Sequence, residues 1–379
     1  MVQNRVGVIG GGQLARMMIP PAVELGIEIS VLAETEGMSA GLAATRVGDY
    51  RDIETVLAFA ETVDVITFDH EHVPQAILRE LVSRGIAVHP GPDALLYAQD
   101  KIEMRTRLSL LGLPMPDWAS VATAAELDAF LEEHDHRAVV KTARGGYDGK
   151  GVRVVTRSDE VGAWFDDLNE SGSAGALLVE EYVPFRRELA QLIARRPSGE
   201  TRCWPVVQTI QRDGVCAEVI APAPNSNGRV AQVAAEIATA IADGLGVTGV
   251  LAVEMFETLD ERLVINELAM RPHNSGHWSI DGAVTSQFEQ HLRAVLDLPL
   301  GDTATRQPWS VMVNILGGPS TGTLQDRYSQ AFHEDPGAKF HGYGKLPRPG
   351  RKVGHVTVSG DDLDDVVYRA RAASLHFEG

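Results

Sequence analysis

The chain has 379 residues, which is more than one hydrophobic core usually holds and predicts two or three packed domains. Its formal net charge of −18 argues against general binding to nucleic acid or to anionic membranes, so an anionic substrate would need a local basic pocket. Two cysteines, Cys203 and Cys216, the lack of a signal-peptide pattern and the lack of a membrane-spanning apolar stretch predict a cytoplasmic protein.

The first elements predict a doubly wound parallel sheet. Val6 to Ile9 form an apolar run that leads into three glycines and a helical pattern, and a second strand follows from Ile27 to Ala33. This order of strand, glycine-rich turn, helix and strand opens such folds. The segment also fits the dinucleotide fingerprint, through Gly10, Gly12, Ala15 and Glu34. An NAD-dependent oxidoreductase is therefore an alternative.

Two further strands, Val63 to Phe68 and Ala87 to His89, belong to the same unit. Glu71 follows the first of them, at the kind of strand end where these sheets bind ligands, although a solvated loop residue would look the same. The segment HPGPDA marks a boundary near residue 92. A helix is predicted from Ala94 to Leu111, and it carries Lys101.

A smaller α+β unit with antiparallel character is predicted next. Its elements are a short strand at Ala119, a helix from Ala124 to Glu133, strands from Ala138 to Lys141 and from Val152 to Thr156, a helix from Ser158 to Leu168, and a strand from Ala176 to Glu180. The loop Lys141 to Gly151, KTARGGYDGKG, holds four glycines and two lysines. It does not match a Walker A loop, but it can gather backbone N–H groups and ammonium charge around nucleotide phosphates. A plain hairpin turn is an equal alternative.

A pair of carboxylates is predicted on a later hairpin. The segments before it are strand-like runs from Glu188 to Ala194 and from Cys203 to Gln211 and a helix from Val230 to Leu245, and the hairpin itself joins Val250 to Glu257 with Leu263 to Leu268. In a symmetric hairpin Glu254 lies opposite Ile265, so Glu267 is its diagonal neighbour at about 7 Å. Two such carboxylates favour Mg²⁺, unless one of them faces solvent.

Polar and basic residues follow the hairpin. The run RPHNSGHWS, residues 271–279, combines a cation, imidazoles, an amide and hydroxyl groups directly after a carboxylate-bearing strand. A helix from Thr285 to Leu296 ends this unit, and beyond Pro299 a mostly β segment carries Lys345, Arg348, Arg351 and Lys352. In an acidic chain this cluster is typical of a phosphate pocket or of a solvated basic turn.

Together these motifs resemble the ATP-grasp superfamily. Within it, IGGGQLARMM, GGYDGKG, EEYVPF, INELAMRPHNSGHW and GKLPRPGRKVGH resemble the 5-(carboxyamino)imidazole ribonucleotide synthases of purine biosynthesis, from near Val6 to His355. The resemblance implies an α/β and α+β chain: a doubly wound domain at 1–98, an ATP-grasp domain at 99–300 with a small lid subdomain at about 119–183, and a β-rich domain at 301–379. It also implies a homodimer.

The reaction implied by the resemblance is a ligation. ATP and bicarbonate give carboxyphosphate, which carboxylates the exocyclic amine of 5-aminoimidazole ribonucleotide, with ADP and phosphate as products. The implied cofactors are ATP and Mg²⁺, and the implied metal ligands are Glu254 and Glu267. Asp148, Arg271 and Lys345 are the implied catalytic residues, with Asp148 as a candidate proton acceptor.

The resemblance also assigns binding residues position by position. The implied ATP-binding residues are Lys101, Lys141, the lid residues Gly146, Tyr147, Asp148, Gly149, Lys150, Gly151 and Val152, the adenine hinge Glu180, Glu181, Tyr182 and Val183, and Glu188, Gln211, Asn266 and Glu267. The implied substrate-binding residues are Glu71, Tyr147, Asp148, His273, Asn274, Ser275, Lys345, Arg351 and Lys352.

Three positions depart from the usual family pattern. The family usually has Gln at Val152, His near Gln211 and Pro at Met270, and the contact from Gln211 is the one most affected. The alternatives are an ATP-grasp ligase that uses another acid or amine, a non-catalytic nucleotide sensor and the oxidoreductase above. The oxidoreductase leaves the paired glutamates and the lysine-bearing loop unexplained.

Overall fold

The N-terminal unit is a doubly wound parallel sheet. The computed structural model describes residues 4–145, 151–170, 175–226 and 228–378. The five strands are β1 Arg5–Ile9, β2 Glu28–Ala33, β3 Ala44–Val47, β4 Val65–Phe68 and β5 Ala87–Val88, in the order β3-β2-β1-β4-β5. The helices are α1 Gln13–Glu24, α2 Ile53–Ala60 and α3 Gln75–Ser83. The order reverses beside β1, so the carboxyl ends of β1 and β4 form the crevice where such sheets bind ligands. This confirms the predicted fold, to which the structure adds β3.

The predicted helix from Ala94 to Leu111 is wrong as one element, because the chain breaks at Asp100. There are two helices, α4 Pro92–Gln99 and α5 Lys101–Leu110. Asp100 is extended between them (φ −134°, ψ 111°), and its carboxylate accepts hydrogen bonds from the N–H groups of Ile102 and Glu103. A carboxylate at this position satisfies donors that a helix start leaves unpaired. The break places Lys101 on the first turn of α5.

The small unit is an antiparallel sheet, as predicted. Its strands are β6 Trp118–Val121, β7 Ala138–Thr142, β8 Val152–Val155 and β9 Leu177–Glu181, in the order β6-β9-β7-β8. Two helices, α6 Ala124–Glu133 and α7 Gly162–Glu170, accompany it, and a short 3₁₀ turn at Ser158–Val161 precedes α7. Thr123 and Glu126 form a capping box at the start of α6. We call this four-stranded sheet the lid sheet, because β7 and β8 flank the glycine loop.

The central and C-terminal segments share one sheet of nine strands. The strands are β10 Phe185–Arg195, β11 Thr201–Cys203, β12 Val207–Arg212, β13 Val215–Ala221, β14 Gly249–Thr258, β15 Leu263–Ala269, β16 Trp309–Leu316, β17 Lys339–Gly342 and β18 Lys352–Gly360. Their order is β15-β14-β10-β12-β13-β16-β18-β17, and β11 pairs with β10. The predicted single strand from Cys203 to Gln211 is two strands, because Pro205 lacks the N–H that a ladder needs.

Helices cover this large sheet and join it to the first one. They are α8 Arg229–Gly244, α9 Ser279–Gly282, α10 Gln287–Val295, α11 Tyr328–Glu334 and α12 Leu363–Leu375. Helix α10 contributes His291, which contacts Thr67 of β4 (Nε2 to Oγ1, 2.7 Å) and accepts a hydrogen bond from the N–H of Val250 at 3.0 Å. One apolar cluster runs from Phe68 to Leu251, so the two sheets pack as one body around the site. Across the described ranges, no helix is long and apolar enough to cross a membrane.

Candidate active site

Glu254 and Glu267 are direct cross-strand neighbours. The predicted diagonal register is wrong for two reasons. Between the turn and the bulge the strands are offset by one residue from a symmetric hairpin, so Met255 rather than Glu254 pairs with Ile265; β15 then contains a bulge, so the next pair is Glu254 with Glu267. Asn266 is the extra residue, and an extra residue in one strand turns the side chains beyond it onto new partners. Residues directly opposite lie closer than diagonal ones, so the carboxylates are nearer to each other than the sequence predicted.

Two ionised carboxylates this close together in a buried site repel each other and lower the stability of the fold, unless a cation lies between them. Burial, and then the charges of Glu267 and Glu188, raise the pKa of Glu254 to about 8, although Lys352 and Arg271 act in the opposite direction. In the part of the chain that the structure describes, no group of three or more His, Cys, Asp or Glu side chains could hold a metal ion. Two carboxylates with the remaining positions left to phosphate oxygens and water are a typical Mg²⁺ arrangement, so the residues fit this ion.

His273 supports the pair as a neutral donor. Its Nε2 lies 3.3 Å from Glu254 Oε1, and its Nδ1 accepts the backbone N–H of Ser275 at 3.3 Å. Burial, and then the charges of Arg271 and Lys352, lower the pKa of His273 to about 3. Because an N–H group can only donate, the neutral ring carries its proton on Nε2, which faces Glu254.

Two lysines, one from α5 and one from the lid sheet, lie beside Glu267 and Asn266. Lys101 Nζ lies 3.6 Å from Glu267 Oε1, and Lys141 Nζ donates to the side-chain oxygen of Asn266 at 3.1 Å. Lys141 also pairs with Glu180 (Nζ to Oε2, 2.7 Å). The structure thus brings the predicted phosphate-binding lysines together with the predicted metal ligands. The Glu180 side chain is therefore committed to cations of the protein itself.

The predicted hinge connects the lid sheet to the large sheet. Glu181 ends β9, where its carboxylate accepts the N–H of Asp117 at 3.0 Å, and Tyr182 and Val183 follow before β10 begins. Glu188 lies on β10 and receives a hydrogen bond from the side chain of Gln211. Burial raises the pKa of Glu188, and this bond partly offsets it. Gln211 therefore lies in the site although it departs from the family pattern.

The predicted lid is only partly described. Gly151 has φ +68° and accepts the Thr142 N–H through its carbonyl at 2.9 Å. A side chain at Gly151 would place its Cβ 2.5 Å from Thr142 Oγ1, so glycine is required there. Val152 begins β8 with an exposed side chain. The remaining predicted lid residues lie outside the described ranges: Gly146, Tyr147, Asp148, Gly149 and Lys150.

Glu71, a predicted substrate-binding residue, is in direct contact with Arg271, a predicted catalytic residue. Arg271 donates from Nε to Glu71 Oε2 at 2.7 Å, and the backbone N–H of Met270 donates to Glu71 Oε1 at 3.2 Å. Proline, the usual residue in place of Met270, has no N–H to make this bond. The departure at Met270 therefore adds a hydrogen bond to the contact between the two units.

The other substrate-side residues have partners of their own. Asn274 forms a two-way amide pair with Asn314 (3.0 and 2.7 Å), and Ser275 is fully buried. Lys345 donates to the side chain of Gln13, which links the C-terminal segment to the first glycine turn. Two other members of the basic cluster, Arg351 and Lys352, are half-buried where β18 begins, whereas Arg348 is exposed.

The first glycine turn is not built for a dinucleotide. At the start of α1, where a pyrophosphate would bind, the carboxylate of Asp69 accepts the Ala15 N–H at 2.8 Å. A side chain at Gly12 would place its Cβ 2.0 Å from this carboxylate. Glu34, the predicted ribose ligand, accepts the Gly11 N–H at 3.0 Å. The protein's own carboxylates occupy the anion site, so the oxidoreductase alternative is not supported.

Arg105 is the buried member of the site that the sequence analysis did not identify. It lies on α5, four residues after Lys101, and its side chain is fully buried against Glu180. The only signal in the sequence was this spacing, which puts both cations on one face of the helix.

Three family models together match most of the chain. A ribonucleotide synthetase preATP-grasp domain matches residues 3–99, an ATP-grasp domain matches 106–288, and a phosphoribosylaminoimidazole carboxylase C-terminal domain matches 310–369.

Two curated relatives carry the same name. The N5-carboxyaminoimidazole ribonucleotide synthase of Mycobacterium tuberculosis is 49% identical over 374 residues, which cover 97% of this chain and 86% of the relative. The protein of the same name from Corynebacterium ammoniagenes is 45% identical, with 97% and 91% covered.

Solved structures agree with the relatives. The N5-carboxyaminoimidazole ribonucleotide synthetase of Thermus thermophilus superposes with a TM-score of 0.86 at 35% identity and covers 98% of both chains. The Aspergillus clavatus synthase in complex with ADP and 5-aminoimidazole ribonucleotide superposes with a TM-score of 0.88 at 31% identity, with 99% of this chain and 98% of that one covered.

Proposed function

This chain belongs to the N5-carboxyaminoimidazole ribonucleotide synthase family of ATP-grasp ligases, and from that membership we propose how its residues divide the reaction. It is an ATP-dependent carbon–nitrogen ligase of purine biosynthesis that acts on 5-aminoimidazole ribonucleotide. The observation that carries the proposal is the opposed pair Glu254 and Glu267, with Lys101 beside Glu267 and the charges of Arg271 and Lys352 acting on Glu254.

We propose bicarbonate as the source of the new carboxyl group. A bicarbonate oxygen attacks the γ-phosphorus of ATP, and the bond from this phosphorus to the β-phosphate oxygen breaks. ADP is the leaving group, and carboxyphosphate stays bound in the site. The amine of the ribonucleotide then attacks the carboxyl carbon, phosphate leaves, and the amine loses a proton. Asp148 is the proposed acceptor of that proton. Carboxyphosphate hydrolyses readily, so the site must exclude water while it exists.

The charged side chains supply most of the catalysis, because phosphoryl transfer depends on positioning and on charge stabilisation. Glu254 and Glu267, with Asn266 beside them, would hold Mg²⁺, and the bound ion would neutralise charge on the transferring phosphoryl group. Lys101 and Lys141 bind the phosphates of ATP. Arg271, oriented by Glu71, stabilises negative charge on carboxyphosphate.

The basic cluster and the residues after β15 bind the imidazole nucleotide. Lys345, Arg351 and Lys352 bind its 5′-phosphate, with charge-assisted hydrogen bonds as the physical basis. His273, Asn274 and Ser275 shape the pocket for the ring, and Tyr147 is a further proposed contact of the imidazole nucleotide. A homodimer and a cytoplasmic location stay predictions.

Substrate dependence tests the reaction. We expect ADP formation to require both bicarbonate and 5-aminoimidazole ribonucleotide, measured in buffer freed of carbon dioxide. Phosphate release that is indifferent to bicarbonate would overturn the proposal and favour a ligase with another acid.

A second test concerns the metal ligands. Glu267→Gln should reduce turnover to background while the melting temperature of the ligand-free protein is kept. Glu261→Gln, on the turn of the same hairpin and 68% exposed, is the matched control and should retain activity. Equal turnover in the two variants would remove Glu267 from the metal site.

A further inference from the structure

Arg105 connects three parts of the fold from a fully buried position. It projects from α5, and its Nε donates to Glu180 Oε1 on the lid sheet at 2.6 Å. Its other two nitrogens donate to main-chain carbonyls of the large sheet: Nη1 to Ile265 at 2.9 Å and Nη2 to Asn266 at 2.7 Å. A planar guanidinium can serve three acceptors in fixed directions, which an ammonium group cannot do.

These contacts close a ring of interactions around Lys141. Glu180 uses its second oxygen to hold the Lys141 ammonium at 2.7 Å, and this ammonium in turn donates to the side chain of Asn266 at 3.1 Å. These contacts form a chain from Glu180 through Lys141 to Asn266. Arg105 binds both of its ends, the Glu180 carboxylate and the backbone carbonyl of Asn266. The position of Lys141 is therefore fixed by Arg105 although the two cations share no hydrogen bond.

The charges in this ring explain why a second cation is needed. Lys141 and Glu180 alone would sum to zero, and the ammonium would be neutralised by its own partner. Burial acts to raise the pKa of Glu180, but Arg105 and then Lys141 lower it below the ordinary value, so the carboxylate stays ionised. With Arg105 included the group carries a net charge of about +1, which remains available to an anion.

The two carbonyls that Arg105 binds belong to the bulge in β15. Ile265 is the last regular partner of β14, and Asn266 is the extra residue before Glu267. Because β15 is the edge strand of the large sheet and the bulge disrupts its ladder locally, these carbonyls need donors from outside the sheet. By binding both, Arg105 stabilises the register in which Glu267 faces Glu254.

We propose that Arg105 is a positioning residue for both halves of the nucleotide site: it keeps the charge of Lys141 available to phosphate, and it holds the bulge that presents Glu267 to the metal. Arg105 itself touches neither substrate nor metal in this role. The inference rests on the proposed assignment of Lys141 to ATP and of Glu267 to Mg²⁺.

Calorimetric titration with ADP, with and without Mg²⁺, separates these two effects without relying on turnover. Arg105→Met should weaken ADP binding at least about tenfold, the usual value of a charge-assisted hydrogen bond. Arg105→Lys keeps the charge beside Glu180 but cannot reach all three acceptors. We expect it to bind ADP alone within about threefold of the wild type and to lose most of the gain in affinity that Mg²⁺ gives.

Two other variants complete the test. Arg107→Met on the same helix, whose side chain donates only to the carbonyl of Gly244 in the described structure, is the matched control and should bind ADP normally. Lys141→Met is the reference for the proposed function, and unchanged ADP affinity in it would overturn the role of Lys141 whatever Arg105 does.

One result overturns the proposal: folded Arg105→Met binds ADP with the affinity of the wild type, whereas Lys141→Met binds ADP more weakly. If Arg105→Met does not fold, Arg105→Lys decides, and a normal gain in affinity with Mg²⁺ in that variant overturns the proposal.

Discussion

Glu71 and Arg271, 200 residues apart in the chain, form an ion pair of 2.7 Å between Oε2 and Nε. Glu71 follows β4 of the first sheet, and Arg271 follows β15 of the large one. The second carboxylate oxygen accepts the N–H of Met270. Glu71 thus orients the guanidinium group of Arg271, which we propose stabilises carboxyphosphate.

We predict that Glu71→Ala lowers kcat/KM at least about 30-fold, because removal of one partner from a hydrogen-bonded charge pair of this burial costs about 2–5 kcal/mol. The melting temperature should fall as well. Asp93→Ala is the control, since its ion pair with Arg79 is exposed on both sides and exposed pairs contribute less than about 1 kcal/mol. Steady-state kinetics and calorimetry would measure both effects, and equal results for the two variants would contradict the prediction.

Glu254→Gln should stabilise the ligand-free protein while it abolishes turnover. The neutral amide removes the repulsion from Glu267 and the cost of burying a second charge. We therefore expect the free energy of unfolding to rise by about 1–2 kcal/mol at pH 8. Glu257→Gln, on the same strand, should have the opposite effect on stability because Glu257 is paired with Arg187 in a buried position. Thermal unfolding in the presence of a chelator measures this difference in sign. A lower melting temperature for Glu254→Gln would show that repulsion is not significant.

His291 should make the protein sensitive to mild acid. Burial, and then the charge of His89, lower the pKa of His291 to about 3, whereas an unfolded histidine titrates near 6.5. The unfolded chain therefore binds the proton first: the stability from neutral His291 is complete above pH 6.5 and declines as the pH falls toward 3.

The measurement is the pH dependence of unfolding by urea for the wild type and for His291→Gln. Between pH 7 and pH 5 the wild type should lose about 2 kcal/mol more than the variant. The comparison uses the change in unfolding free energy with pH rather than its absolute value, because the substitution also changes contacts with Thr67 and Val250. Parallel curves would mean that His291 takes up a proton as readily in the folded state as in the unfolded state, which contradicts the prediction.

Gly12→Ala should destabilise the first unit severely. Its Cβ would lie 2.0 Å from the carboxylate of Asp69, which caps α1 through Ala15, so either the carboxylate or the helix must move. We expect a loss of more than about 2 kcal/mol. Gly162→Ala is the opposite case: the backbone there is already helical, no atom lies within 4 Å of the new Cβ, and alanine favours a helix by about 1 kcal/mol. Hydrogen exchange within β1 and α1 would detect the expected loss, and a stable Gly12→Ala would contradict it.

The sequence predicted the elements whose periodicity is local. The helix from Ala124 to Glu133 has the observed bounds because its capping box and apolar face lie within ten residues. The hairpin strands were also correct, since turn and alternation lie close together. What periodicity could not show was the break at Asp100, where one carboxylate satisfies the start of a new helix inside an unbroken helical pattern.

The site was predicted in its members but not in its geometry. The resemblance named Glu254, Glu267 and Asn266, yet a bulge shifts register by a single residue and leaves no mark on the apolar pattern. Arg105 was missed for a related reason, because its partners lie 75 to 161 residues away and exist only once three units have assembled.

The pairing of β13 with β16, through Glu218 and Val313 among others, makes the C-terminal segment part of the central sheet. A fragment that ends near residue 300 would leave β13 as an open edge whose last five residues are buried in the intact protein. Such an edge recruits strands from other molecules, so the shortened chain should aggregate. The segment with the basic cluster is therefore a poor unit for exchange between relatives, unless β12 and β13 are transferred with it.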